Sequence, residues 1–349
     1  MAEASGFRAL VVLRAKRGEL DALAALDLDH GVQPVLSLGH NGTSSVDNLV
    51  DRVVEITRST YRLGRLMMLD ATNMATAAGF DGAGAVLDHL ARRLSEPVDL
   101  LDLDPVPFIP VTHSAADERT LAATGRLARD LGHGCGLRVP MISATPETVI
   151  AAVERLGTRP SDLDLLVDLS YIAGIDAGRV DDVASLVEGL GGVGPFRSRT
   201  ILSGSVPKTL SQLHRWEQQR FEEDLWRSLV AGGLDDLRLG DYGVAHPVWD
   251  PRGYPTNHIN LKYTCGDHWL YLRERVLDAD DESSGTTRTV RLVSRNLVAS
   301  DSFYGSDYSW GDKRFTEAAS GRSRALSRTK IVSFATSHHL AYLGGIAAA

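Results

Sequence analysis

The segment LRLGDYGVAHP (237–247) concentrates groups that can do chemistry where a short apolar run ends. Asp241 could serve as a general base or hold a divalent cation, and His246 could exchange protons near neutral pH. We expect Asp241 to point into a pocket and Tyr242 to contact a later part of the chain. Similar groups follow other apolar runs, and the predicted catalytic set is Asp168, Asp241, His113 and His246.

Cations also follow several of these runs, which points to an anionic substrate. Arg binds phosphate or carboxylate through a two-pronged fork, and Lys binds it as a point charge. The segment SGS (203–205) follows the seventh run, where barrels often build phosphate sites. The predicted substrate-binding set is Lys16, Arg138, Ser203, Ser205, Lys208, Tyr242 and Asp70. These residue types favour hydrolysis or lysis of a phosphoester over hydride transfer.

Each candidate also has a structural interpretation. Arg138 and Asp168 could form a buried ion pair, and Asp70 could cap a turn. Lys16 could belong to a solvated loop, and His40, which precedes Asn-Gly, could belong to a simple turn. Polar residues nevertheless follow all eight apolar runs, and their convergence at one end of the fold favours a pocket.

Metal and covalent chemistry are weaker hypotheses. A zinc site would have to unite GHGCG (132–136) with the His338-His339 pair, and the chain has no C-x-x-C pair. Cys135 is most simply a small buried residue. A Schiff base on Lys16 is possible but weakly supported. A divalent cation held by carboxylates is possible, and the cofactor is left unassigned.

The candidate residues lie on predicted β-strands that alternate with predicted α-helices. Amphipathic helices are predicted at 44–64, 117–132, 145–157 and 208–233. The apolar runs that suit strands buried on both faces are 7–13, 32–38, 65–71, 108–113, 136–141, 163–169, 198–204 and 237–243. Eight such units predict an α/β fold, a (β/α)8 TIM-like barrel over residues 1–247, with its site at the carboxyl ends of the strands. An open doubly wound sheet would more often carry a G-x-G-x-x-G loop after its first strand, and this chain does not.

Residues 248–349 are predicted to form a C-terminal mixed or antiparallel extension packed on the barrel. LKYT (261–264) and HWLYLR (268–273) indicate two antiparallel strands, and DADDESSGTT (278–287) is predicted to be a solvated loop. The aromatic segment FYGSDYSW (303–310) could fill the contact with the barrel or form a lid.

Composition excludes several classes of protein. The net charge is −8 and the pI about 5.8, which makes a nucleic-acid partner improbable. Two cysteines are too few for a disulfide framework, and the sequence shows neither a signal peptide nor a membrane span. We therefore predict a cytoplasmic protein with no membrane partner.

Several motifs resemble those of the bacteriophage "beta protein" family. They include GDYG with AHP, LKYT with HWLYLR, YSWGDKRFTEAASG and SHHL. The strongest are Gly240-Asp241-Tyr242, Gly311-Asp312 and His338-His339. RALVVLRAKRGELDAL (8–23) resembles the family's opening, so the likeness covers nearly the whole chain. Phage and bacterial members of that family imply a phage-related role, with anti-phage defence as one possibility.

Two functions follow as hypotheses. The first is a hydrolase or lyase acting on a small anionic, possibly phosphorylated, substrate at the carboxyl face of the barrel. It predicts a perturbed carboxylate, or a histidine within hydrogen-bonding reach of Asp168 or Asp241. The second is a non-catalytic component of an anti-phage system that binds a ligand or a protein partner. It predicts a pocket closed by the aromatic segment, with its charges neutralised in pairs.

Overall fold

The computed structural model describes residues 6–25, 31–39, 45–74, 79–97, 104–250, 256–278, 282–323 and 325–348. The strands in these ranges are β1 Ala9–Arg14, β2 Val32–Gly39, β3 Met68–Asn73, β4 Ile109–His113, β5 Cys135–Pro140, β6 Leu163–Tyr171, β7 Ser198–Gly204, β8 His214–Gln219, β9 Leu237–Asp241, β10 His258–Thr264 and β11 His268–Arg275. The α-helices are α1 Arg17–Ala24, α2 Val46–Arg62, α3 Gly82–Ser95, α4 Glu118–Leu131, α5 Pro146–Leu156, α6 Ala177–Gly191, α7 Phe221–Ala231, α8 Glu282–Val298, α9 Trp310–Ala319 and α10 Arg328–Ala348.

Eight parallel strands close into a barrel in the order β1-β2-β3-β4-β5-β6-β7-β9, and β9 pairs with β1. Each apolar run predicted to be a strand overlaps one of these eight, and helices alternate with them. The predicted (β/α)8 TIM-like barrel is therefore confirmed. Its strands are mostly apolar because the barrel interior and the surrounding helices both exclude water.

The alternation of side chains along β9 decides which of them enter the barrel. Tyr242 packs with Leu10 and Val12 in the cluster that fills the barrel interior. Leu239 belongs to the outer cluster, and Asp241, two residues later, shares its face of the strand and contacts the extension. The orientations expected from the sequence were wrong: Asp241 faces the extension and Tyr242 faces the interior.

A second, antiparallel sheet has the order β10-β11-β8. The two strands predicted in the extension are β10 and β11, but the helix predicted at 208–233 was wrong. Only Phe221–Ala231 is helical, and His214–Gln219 forms β8, which pairs with β11. Trp216 stacks on Tyr271 across that pairing, with ring centroids 4.9 Å apart. The domain division at residue 247 stays a prediction, and β8 joins the sheet of the later residues from before that point.

Three helices complete the extension. The prediction of a solvated loop at 278–287 was wrong for 282–287, because α8 begins at Glu282; residues 279–281 lie outside the described residues. Helices α9 and α10 approach so closely that a Cβ on Gly311 would lie 2.0 Å from the carbonyl oxygen of Phe334. Helix α10 also packs against α1 and β1, which fixes the extension to the barrel. No helix within the described ranges is both long and apolar enough to cross a bilayer.

Candidate functional site

A cavity of about 190 Å³ opens at the carboxyl end of the barrel, and we call it the inner cavity. Its wall comes from the ends of six barrel strands and from the segment after β9. Three residues predicted from separate parts of the sequence, His113, Arg138 and Tyr242, meet there. They meet because the carboxyl ends of parallel barrel strands share one face of the fold.

Arg138 is the centre of a polar cluster behind this wall. Its Nε and Nη2 atoms both lie 2.8 Å from Oδ2 of Asp168, and Nη1 donates to Asp70 over 3.1 Å. Nη2 also donates to the Tyr242 hydroxyl over 2.6 Å, and that hydroxyl donates to Asp168 over 2.5 Å. The two carboxylates also accept the backbone N–H groups of Thr72 and Ser170, each two residues further along the same strand.

The electrostatics of this cluster keep the guanidinium charged. Burial acts to lower the pKa of Arg138, but Tyr242, Asp168 and Asp70 outweigh it and raise that pKa overall. Burial and the nearby guanidinium together lower the pKa of His113, which favours a neutral imidazole at pH 7. A neutral His113 can accept a proton from a bound molecule.

A larger cavity of about 350 Å³ lies between the barrel mouth and the extension, and we call it the basic cleft. Most of its charged groups are cations, with Glu19 as the one carboxylate among the described lining residues. The five cations are Arg14, Lys16, Lys208, Lys262 and Arg328. Lys262 and Arg328 belong to the extension, so barrel and extension each supply part of the charge.

Glu19 and Lys262 have pKa values near neutrality. Glu19 is 4% exposed, and its burial raises its pKa to about 7, although the Arg14 charge and backbone N–H act in the opposite direction. Burial and the charge of Arg14 lower the pKa of Lys262 to about 8, and its Nζ donates to the Val244 carbonyl over 2.8 Å. Both side chains can therefore change charge close to physiological pH.

The other cations of the cleft are held by specific contacts. Arg14 donates to the carbonyl oxygens of His246 and Val248, and Lys208 pairs with Asp250 over 3.0 Å. Lys16 lies over the Trp249 ring, with Nζ 4.8 Å from the ring centroid. The cleft therefore presents several cations that are already oriented.

His246, a predicted catalytic residue, also lines the cleft. Its Nδ1 lies 2.9 Å from the Val206 carbonyl oxygen, which can only accept a hydrogen bond. Nε2 therefore carries the lone pair of the neutral ring. Burial lowers the pKa of His246, which favours that neutral form.

Asp241 lies elsewhere, in a buried chain of hydrogen bonds between barrel and extension. It is 1% exposed, and its Oδ2 lies 2.9 Å from Nε2 of His339. His339 contacts the Thr264 hydroxyl at 2.8 Å, and the Thr264 carbonyl oxygen lies 2.8 Å from Nε2 of His338. Nδ1 of His338 lies 2.8 Å from Asp312. The three strongest motifs of the sequence, GDY, GD and HH, thus meet in one network that joins the extension to the barrel.

A second group of buried charges extends this network. Burial acts to raise the pKa of Asp241, but His339, Arg220 and the Gly243 N–H hold it below its usual value. Arg220 is completely buried, pairs with Glu222 and Glu223, and lies 3.6 Å from Asp241. Arg220 also lies over the rings of Trp269 and Tyr342, so its contacts fix the start of α7 against the extension, which is a structural role.

Ser203 and Ser205 are also fully buried. The backbone N–H of Ser205 donates to Glu222 over 3.0 Å, and neither serine lines the inner cavity or the basic cleft. The structure therefore gathers the predicted residues into three places. The inner cavity and its wall hold Asp70, His113, Arg138, Asp168 and Tyr242; the cleft holds Lys16, Lys208 and His246; Asp241, Ser203 and Ser205 are buried outside both cavities.

The remaining candidates that the structure describes do not line either cavity. His40 lies outside the described residues. His338 and His339 contact carboxylates, and Cys135 is buried in the outer core. Across the described ranges, no group of three or more His, Cys, Asp or Glu side chains is arranged to hold a metal ion.

The aromatic segment 303–310 packs within the extension and does not line either cavity. Tyr304 and Tyr308 contact the His338 ring, with centroids 5.2 Å away in each case. The segment therefore covers the buried network, which fits the prediction of an apolar contact better than that of a lid over the site.

Sequence analysis missed Lys262, Arg328 and His258, which form the extension side of the cleft. One feature of the sequence, its few lysines, points to this cleft. The chain has five lysines, at positions 16, 208, 262, 313 and 330, and three of them line this cleft. The clustering of so rare a residue at one place in the fold makes the cleft a candidate site for negative charge.

The fold and the cavities define a (β/α)8-barrel protein whose carboxyl face is covered by an extension that supplies part of a basic cleft. The chain belongs to the Beta protein family, whose model matches residues 11–345. A comparison with curated proteins finds no match. Membership explains the shared motifs, and the structure gives them a common location at the interface between barrel and extension.

Proposed function

We propose that the protein is a hydrolase or lyase that acts on a small anionic, phosphate-bearing substrate held in the basic cleft. The observation that carries this proposal is the charge of the cleft, where five cations outnumber two carboxylates, the buried Glu19 and the Asp250 that pairs with Lys208. Cations arranged before a ligand arrives bind an anion without paying the full cost of ordering flexible side chains.

Proton transfer in this proposal falls to the groups of the cleft. Glu19, with a pKa of about 7, is protonated in part of the molecules at neutral pH and can donate to a leaving group. The neutral Nε2 of His246 can accept a proton from water or from the substrate. Asp168 and Asp241, the carboxylates predicted for these roles, are both engaged in buried ion pairs.

The experiment that tests the proposal is calorimetric titration with inorganic phosphate and pyrophosphate, followed by assays of phosphate release from phosphoesters. We expect Lys262→Met to weaken pyrophosphate binding about tenfold or more, the effect of losing a charged hydrogen bond. Lys313→Met removes a lysine from the exposed face of α9 and serves as the matched control. Equal affinities in all three proteins, or no binding to the wild type, contradict the proposal.

A non-catalytic role is the second candidate, because the strand-end charges of the inner cavity are neutralised within the Arg138 cluster. In that case the protein binds its ligand without turnover, as a component of a cytoplasmic anti-phage system. The family resemblance supports this proposal. Plaque counts on bacteria that express wild type or Lys262→Met test it: protection lost in the variant supports it, and equal counts with and without the protein oppose it.

A further inference from the structure

The inner cavity and the basic cleft are neighbouring cavities. Arg14 and Ala245 belong to the walls of both. Arg14 stands at the end of β1, where its guanidinium contacts the backbone of the segment that separates the two cavities. A molecule that spans both cavities therefore has to pass Arg14.

The two cavities differ in the charge that they offer. Apart from Arg14 at the junction, the cation of the inner cavity is Arg138, whose charge is offset by two carboxylates, Asp70 and Asp168. An anion there would meet a cation whose charge is already compensated, whereas a neutral polar group would meet hydrogen-bonding partners. The neutral partners on the wall are Ser37, Thr72, Asn73, His113 and Ser170.

The volume and shape of the inner cavity further limit the kind of molecule that can fit in it. The inner cavity measures about 190 Å³, the space of roughly six water molecules at about 30 Å³ each. Trp249 contributes an aromatic ring to the wall, packed where a Cβ on Gly39 would lie 2.3 Å from the ring. An aromatic wall with several hydroxyl and amide groups suits a compact polyhydroxylated group, whose C–H faces pack on the ring.

We infer that the substrate is a phosphorylated sugar or polyol, with its phosphate in the basic cleft and its hydroxylated carbons in the inner cavity. This inference rests on the proposed function and adds the substrate class. Arg14 lies at the junction and contacts the bound molecule between its two parts. The basic cleft therefore recognises the charge of the phosphate, and the inner cavity recognises the hydroxyl groups through hydrogen bonds.

The test is calorimetric titration with three kinds of probe: inorganic phosphate, a panel of three- to six-carbon sugar and polyol phosphates, and the same sugars without phosphate. We expect at least one sugar phosphate to bind about tenfold more tightly than phosphate, and the neutral sugars to bind weakly. Thr72→Val, which keeps the shape and removes one hydroxyl, should lower sugar-phosphate affinity about fivefold while changing phosphate affinity less. Lys262→Met should weaken phosphate and sugar phosphate by a similar factor.

The outcomes separate the inference from the function on which it rests. Phosphate binding with no preference for any sugar phosphate, or a Thr72→Val variant that affects both ligands equally, overturns the inference and leaves the proposed function standing. Absence of phosphate and sugar-phosphate binding overturns both. If Thr72→Val fails to fold, Ser37→Ala removes a neighbouring hydroxyl from the same wall and provides the same comparison.

Discussion

Replacing Glu19 by Gln should make the protein more stable at neutral pH and leave its stability almost unchanged in acid. The pKa of this buried carboxyl is about 7 in the folded protein, against an ordinary value of 4.5. The folded protein therefore holds a proton that the unfolded chain has released between these two pH values. Stability of the wild type falls as pH rises through that window, and the loss is complete above pH 7.

The size of the effect follows from the two pKa values. They differ by about 2.5, and each unit corresponds to about 1.36 kcal/mol, which gives about 3 kcal/mol. Because Glu19 is 4% exposed, solvent screens the interaction little. The attraction of Arg14, Lys16 and Lys262 is already contained in the folded-state value, since all three act to lower the pKa of Glu19. The amide also keeps the oxygen that accepts the Arg14 N–H.

Urea unfolding followed by tryptophan fluorescence, at pH 4.5, 6 and 7.5, measures this difference. We expect the free energy of unfolding of Glu19→Gln to exceed that of the wild type by an amount that grows to about 3 kcal/mol at pH 7.5. Glu55→Gln, at an exposed position of α2, reports the effect of an amide at the surface. A difference between Glu19→Gln and wild type that stays constant with pH would refute the reasoning.

Three further predictions concern the cleft and the interface. Sulfate should bind the wild type more weakly as pH rises from 7 to 9, because Lys262 loses its proton near pH 8 while the charge of sulfate stays constant. Calorimetry on Lys262→Met should show a smaller dependence of sulfate affinity on pH. Gly311→Ala places a methyl group against the Phe334 carbonyl, and urea titration should show a loss of about 2–4 kcal/mol. Asp241→Asn leaves the charge of Arg220 less compensated and should lower the free energy of unfolding by about 3–5 kcal/mol in the same assay, with sulfate affinity retained. A folded variant that does not bind sulfate would show that Asp241 belongs to the binding site.

The barrel could be predicted because its signal is local. Each strand is a short apolar run buried on both faces, and each helix between strands carries a stripe of apolar residues along one face. Strand β8 could not be predicted in this way. HRWEQQ (214–219) is polar and directly precedes a helix, and its pairing partner β11 lies about 50 residues later in the chain. Only that distant pairing, with Trp216 stacked on Tyr271, selects the extended conformation.

The candidate site was predictable in part for the same reason. His113, Arg138 and Tyr242 converge because barrel geometry brings strand ends together, and the sequence predicts the barrel. Whether Asp241 points inward or outward depends on strand register, which a run of five residues does not specify. The extension side of the cleft, with Lys262 and Arg328, depends on how α10 and β10 dock, and no local pattern encodes that contact.

The shared construction of the basic cleft also sets when it can form during synthesis. Arg14 leaves the ribosome long before Arg328, by a delay on the order of tens of seconds at roughly 5–20 residues per second. Until α10 arrives, the outer apolar surface of β1 and β2 lacks Leu340 and Leu343, which cover it in the finished protein. A nascent chain can therefore close its barrel strands before it has a complete cleft. A ligand that binds this cleft would stabilise the molecule only after translation has passed α10, so it would act on the finished fold and not on its early assembly.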